Sequence, residues 1–200
     1  MLVVGLTGGI GCGKSEVRRR LDEAGLAMID ADSLARDISE TNPGVVSAIK
    51  QAFDAGVYDE HDHLRRKELA EIVFSDRKKL EILNGIIHPR VISAVERRIQ
   101  SLQDEGKKIA VVEAALHYEV NWNAAMDVMV VVSAPMAKRL VWLKQRDRLS
   151  DEDIKKRIAS QLPLEEKVRR ADYVIENTGD LKQLEEAVAN LLTWLRERAK

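Results

Sequence analysis

The chain has 200 residues, 45% of them hydrophobic and 32% charged, and its 32 Lys and Arg against 33 Asp and Glu leave a formal net charge of -1. That composition excludes a disordered chain, and the length suits one α/β domain with small insertions. The balance of charge excludes a wholesale basic surface for nucleic acid, and a single cysteine, Cys12, excludes an intrachain disulfide and a cysteine-rich metal site.

Leu2–Thr7 is the first strand candidate. The opening residues are apolar, but they are too short for a secretion signal and lack a basic lead. No apolar run approaches the ~18–20 residues that span a bilayer. No membrane partner and a reducing cytoplasm are therefore expected. Lys14–Ala24 reads as a helix with Val17, Leu21 and Ala24 on its core stripe. Arg18, Arg19 and Arg20 fall largely off that stripe and read as a solvated face rather than a DNA contact. Leu26–Asp30 is the second strand, and Ser33–Ser39 is the helix that follows it.

Between the second and third strands lie about eighty residues, 31–108, far more than a simple βαβ crossover needs. This excess is mostly helical and is the natural place for a substrate-binding insertion. Within it, 75–102 reads as one long helix or two, interrupted near His88-Pro89, because proline disfavours helix continuation. Ile109–Glu113 and Asp127–Val132 are the third and fourth strands. The helical stretch 135–171 follows, rich in Lys and Arg, where a kinase would carry a closing lid. Tyr173–Glu176 is the fifth strand, and Leu181–Arg198 is an amphipathic helix with Leu184, Val188, Leu191, Leu192 and Leu195 on one side. Continuous apolar strands separated by helices predict a five-stranded parallel sheet covered on both faces, a three-layer α/β/α domain.

The sharpest motif is Gly8-Gly9-Ile10-Gly11-Cys12-Gly13-Lys14-Ser15, which satisfies the Walker A pattern with a strand before it and a helix after it. Backbone N–H groups of such a loop and the helix N-terminus both favour anions. Lys14 is expected to neutralise the β- and γ-phosphates, and Ser15 to ligate Mg²⁺. The nucleotide site is expected to comprise Gly8, Gly9, Gly11, Cys12, Gly13, Lys14, Ser15 and Glu16. Cys12 has two readings: a thiol activated by the helix N-terminus, or a small filler pointing away from the phosphates.

A P-loop alone leaves kinase, GTPase and ATPase open. No Asn-Lys-x-Asp guanine motif occurs, and the nearest hydrophobic strand ending in a carboxylate is Ile109–Glu113. The compact length and the helical insertion favour a small-molecule kinase. Asp30 and Asp32 stand at the carboxyl edge of the second strand, where open α/β sheets bind ligands. A kinase acting on a hydroxyl needs a carboxylate to accept or orient that proton. Asp32 is placed for this; capping the helix that follows is the other reading.

With these strings in view, the chain resembles the dephospho-coenzyme A kinase family. The resemblance rests on residues 5–15, on Ile29-Asp30-Ala31-Asp32-Ser33-Leu34-Ala35-Arg36, and on Leu64-Arg65-Arg66 with Val73-Phe74. It continues through Leu83-Asn84 with His88-Pro89, Arg146-Asp147, Arg157 with Gln161, and Ala171-Asp172 with Asn177 and Gly179. It covers nearly the whole chain in order. It implies a P-loop kinase fold and transfer of the ATP γ-phosphate to the ribose 3′-hydroxyl of dephospho-coenzyme A, the last step of coenzyme A synthesis. By the family pattern Asp32 is the base. Lys14 and a lid arginine, Arg146 with Arg139 and Arg148 as alternatives, steady the transferring group. Arg66, His88 and Glu119 lie around the acceptor, and Asn177 and Gly179 near the adenine. The chain departs from the family at Ala115-Leu116-His117-Tyr118-Glu119, where Pro-Leu-Leu-Phe-Glu is frequent, so His117 is read as a packing residue. Trp142 stands where arginine is common. A nucleoside or nucleoside-monophosphate kinase shares the P-loop, insertion and lid; only the family strings separate the two.

Overall fold

Five short apolar segments pair side by side: β1 (Leu2–Gly8), β2 (Ala27–Asp30), β3 (Ile109–Glu113), β4 (Val128–Ser133) and β5 (Tyr173–Glu176). All pairings are parallel, in the order β2-β3-β1-β4-β5. The computed structural model describes residues 1–147, 150–178 and 180–200, the side chains of 74, 146 and 147 apart. The chain forms two compact units, residues 1–30 with 99–200, and residues 31–98.

The first unit holds the sheet. β3 and β4 are buried almost throughout, as strands covered on both faces must be. Helices α1 (Lys14–Glu23) and α9 (Leu181–Arg198) pack against each other, and α9 also lies on β5. Val17 and Leu21 of α1 and Leu184, Val188, Leu191 and Leu195 of α9 enter one core with Val4, Leu6, Val130 and Ile175. Helices crossing between parallel strands on both faces give the three-layer α/β/α architecture. Beyond β4 come three helices, α6 (Met136–Asp147), α7 (Asp151–Ala159) and α8 (Leu164–Arg169).

The second unit is helical: α2 (Ala31–Thr41), α3 (Pro43–Phe53), α4 (Arg66–Phe74) and the first part of α5 (Arg77–Asp104). It has its own core of Val45, Ile49, Phe53, Val57, Tyr58, Leu69 and Val73. Asn42 caps α3 by accepting from Val45 N–H at 3.1 Å, and Pro43 occupies the first turn, where its missing N–H costs nothing. Residues 99–108, expected within the insertion, fall in the sheet unit.

Two local expectations are resolved by packing. The long helix does not break at Pro89: α5 runs unbroken from Arg77 to Asp104 with the proline inside it. The carbonyl that the ring would crowd belongs to Gly85, which is exposed and carries no side chain. The arginines of α1 are not a uniform solvated face. Arg19 pairs with Glu16 and Glu23 on its own helix, but Arg20 reaches Glu185 of α9 and Arg18 turns toward the strand ends. Among the described residues no helix is long and apolar enough to cross a membrane.

Candidate active site

β1 lies at the centre of the sheet and delivers Gly8 to its carboxyl edge, opposite Val132 of β4. The chain then turns through 9–13 into α1. Gly11 and Gly13 have φ of 79° and 86°, which glycine adopts without strain. A side chain at Gly13 would also collide with Asn177 Nδ2, and one at Gly11 would stand 2.9 Å from Leu143 Cγ. Gly13 is the N-cap of α1 and offers no side chain to its first-turn amides. The helix therefore presents the positive end of its dipole at the loop. Backbone that comes this close, without β-carbons, at an uncapped helix start fits a polyphosphate.

Two neighbouring strand ends supply carboxylates. Glu113 closes β3 and Asp30 closes β2, directly opposite each other in register. Their charges are separated by cations from α1. Lys14 Nζ donates to Glu113 Oε1 at 2.6 Å, although the two are 99 positions apart. Arg18 lies between the carboxylates, its Nη1 2.9 Å from Asp30 Oδ2 and its Nε 3.0 Å from Glu113 Oε2. The second contact is an ion pair without hydrogen-bond alignment. Glu113 is only 5% exposed, and these cations are the partners that offset its burial. Lys14 thus stands at the mouth of the cradle, already matched to an anion.

The Gly8–Ser15 cradle at the carboxyl edge of a β2-β3-β1-β4-β5 sheet finds its counterpart in known proteins. The family model for dephospho-CoA kinase matches residues 2–183. The chain belongs to the dephospho-CoA kinase family. A family member from Salinibacter ruber is 41% identical over 191 residues, covering 96% of each chain. The crystal structure of TT1252 from Thermus thermophilus is 32% identical and covers 97% of each chain with a TM-score of 0.84. The Campylobacter jejuni dephospho-CoA kinase is 28% identical, with 99% of this chain and 98% of that one covered and a TM-score of 0.74.

The family pattern can now be set on the geometry. Cys12 is buried, and burial pushes its thiol up, outweighing the nearby Arg139 charge. It is a filler in the loop. Asn177 is buried and donates from Nδ2 to Cys12 O at 3.0 Å, so its amide braces the loop. Arg139 is buried too and donates from Nε to Ile10 O at 2.9 Å. Ser15 is exposed in the first turn of α1, beside Glu16, whose carboxyl is held low by Arg19. Glu119 accepts from Leu162 N–H at 2.9 Å and pairs at 2.8 Å with the fully buried Lys167. His117 is fully buried beside Trp122, with one ring nitrogen 2.9 Å from Val112 O.

In the helical unit, Asp32 is not an N-cap: α2 begins at Ala31, which puts the carboxylate inside the first turn. A negative charge there is favoured by the helix dipole. Arg66 opens α4 and pairs with Glu40 of α2 at 2.8 Å. His88 lies on α5, half-buried, with its imidazole pKa pushed down by burial. Arg148 and Gly179, and the side chain of Arg146, lie outside the described residues.

Sequence reasoning named Glu113 only as the end of a strand and Arg18 only as part of a solvated face, and did not name Lys167. Glu113 carries a signal, one carboxylate closing an apolar strand. Arg18 and Lys167 sit in basic runs where only packing distinguishes them from their neighbours.

Proposed function

We infer that the chain transfers the γ-phosphate of ATP to the ribose 3′-hydroxyl of dephospho-coenzyme A, giving coenzyme A and ADP. The observation that carries this reading is an intact Gly13-Lys14-Ser15 cradle in a chain matched by the dephospho-CoA kinase model over 2–183. The cradle binds the triphosphate, and Lys14 sets its charge against the β- and γ-oxygens. We assign Mg²⁺ to Ser15, whose hydroxyl would hold the ion; the ion would offset the charge of the phosphates. Asp32 accepts the proton of the attacking hydroxyl as the new P–O bond forms and the bond to the β-phosphate oxygen breaks.

The helical insertion supplies the acceptor side, with Arg66 assigned to an anionic group and His88 assigned to the same acceptor. Glu119 is better read as a support for Lys167 and Leu162 than as an acceptor contact, because those partners occupy its Oε1. The adenine falls to the segment after β5, around Asn177 and Gly179. A small cleft lined by Ser133, Met136, Arg139, Glu176 and Thr178 supports that placement. The segment 135–171 acts as the lid, with Arg146 its proposed phosphate-facing arginine; closure excludes water that would otherwise compete as acceptor. A cytoplasmic location without nucleic-acid or membrane partners completes the reading, supported by the balanced charge and the single cysteine.

The test is ADP release with ATP and Mg²⁺ and a panel of acceptors. Turnover confined to dephospho-coenzyme A is expected. Turnover only with a nucleoside or nucleoside monophosphate would replace the acceptor and leave the cradle assignment standing.

A further inference from the structure

Ile10, inside the phosphate loop, has both its N–H and its C=O held by side chains from much later in the chain. Its N–H donates to Gln161 Oε1 at 3.0 Å, and its C=O accepts from Arg139 Nε at 2.9 Å. A turn residue of this kind has no sheet or helix partner, so its side-chain partners decide which way the peptides on either side of it face. Flipping the Gly9–Ile10 peptide would break the first bond, and flipping the Ile10–Gly11 peptide would break the second.

Gln161 is itself fixed. It sits in the turn between α7 and α8, and its N–H donates to Ile158 O at 3.2 Å, closing the end of α7. The next residue, Leu162, donates its N–H to Glu119 Oε1 at 2.9 Å. The same oxygen stands 2.8 Å from Lys167 Nζ, which also donates to Ala115 O at 2.9 Å. A fully buried ammonium thus ties this turn to the segment after β3. One end of α7 and one peptide of the cradle therefore share a single anchor.

We propose that Gln161 is a positioning residue for phosphate binding: through the Ile10 N–H it presets the loop for a triphosphate and couples it to the end of α7. The proposal rests on the nucleotide-site reading above. It gives the family's Arg157 and Gln161 string a physical task for its second member. Arg139 and Asn177 also brace the loop, but both are buried, so replacing them disturbs packing. Gln161 is half-buried and can be exchanged for a residue of the same length.

The test uses the full chain. Gln161→Met keeps the length and removes the acceptor. It is expected to weaken binding of a non-hydrolysable ATP analogue, and to raise the KM for ATP, by about tenfold, the value of one hydrogen bond. The KM for dephospho-coenzyme A should stay within about twofold, and the Ile10 amide should exchange faster with solvent. Gln161→Glu retains an acceptor oxygen and is expected to keep the Ile10 amide protected. Unchanged ATP binding in Gln161→Met, or an equal rise in both KM values, would overturn the proposal. Loss of Ile10 protection in both variants would do so as well. Failure of the unaltered protein to turn over dephospho-coenzyme A would strike the acceptor assignment alone, since analogue binding and amide exchange are read without an acceptor.

Discussion

The sheet unit and the helical unit use charge in different ways. In the sheet unit, exposed pairs within helices, such as Arg19 with Glu23, stand beside ionic groups that are largely buried and meet across long stretches of sequence: Lys14 with Glu113, Lys167 with Glu119, and the buried Arg139 on the Ile10 carbonyl. In the helical unit the pairs are more exposed, as between Arg66 and Glu40, or within one turn, as between Arg77 and Glu81. Exposed pairs contribute little to stability, about 0–1 kcal/mol, whereas a buried pair that loses one partner leaves an uncompensated charge. The sheet unit is therefore a fixed electrostatic frame around the cradle. The helical unit is held by its apolar core, which leaves its surface charges available for recognition.

The largest effect to expect is at Lys14. Lys14→Ala should remove nucleotide binding and turnover together, because it takes away the charge assigned to the β- and γ-phosphates; calorimetric titration with ATP reads the first loss and ADP release the second. Asp32→Asn should lower kcat by about 10²–10⁴ while leaving ATP affinity largely intact, the range for a positioned general base. Near-normal turnover in that variant would move the base elsewhere.

Lys167→Met tests the buried frame. It strands the Glu119 carboxylate, whose Oε2 already lacks a hydrogen-bond partner, and should cost about 3–5 kcal/mol in urea unfolding. Adding Glu119→Leu should recover much of that loss, since both charges then leave together.

His117 sharpens the same point through pH. Burial pushes its imidazole pKa down to about 4, with the bond to Val112 O opposing. Below the ordinary value near 6.5, the unfolded chain takes up a proton that the folded chain refuses. Stability should therefore fall as pH drops from about 6.5 to 4, by up to ~3 kcal/mol, and this loss should be absent in His117→Leu. Unfolding free energies at three pH values would show it.

Arg66→Ala should be the mildest for the fold, under about 1 kcal/mol, because its partner Glu40 is an exposed pair. If Arg66 recognises the acceptor, the KM for dephospho-coenzyme A should rise with the melting temperature almost unmoved. A stability loss comparable to that of Lys167→Met would erase the contrast between the units.

Most of the sheet was legible because each strand is a short apolar run bounded by turn or charged residues, and the helix at 181–198 because its leucines keep one period. The cradle was legible because phosphate binding needs glycines, a lysine and a hydroxyl residue at fixed spacing in one continuous string. Asp32 was flagged by its position after β2, though its place inside the first turn of α2 depended on where that helix starts. Pro89 was misleading as a breaker, since its effect depends on what stands four residues earlier and on what surrounds it.

The sequence by itself determined the P-loop, the parallel α/β plan and the family, because these are written in local spacing and in strings that run in order along the chain. Only the tertiary structure decided which charges matter to one another. That Lys14 meets Glu113, that Arg18 separates Glu113 from Asp30, and that Gln161 holds Ile10 follow from strand order and register. These bring together residues between 12 and 151 positions apart. A lysine in a basic run looks like its neighbours until folding removes one of them, Lys167, from water.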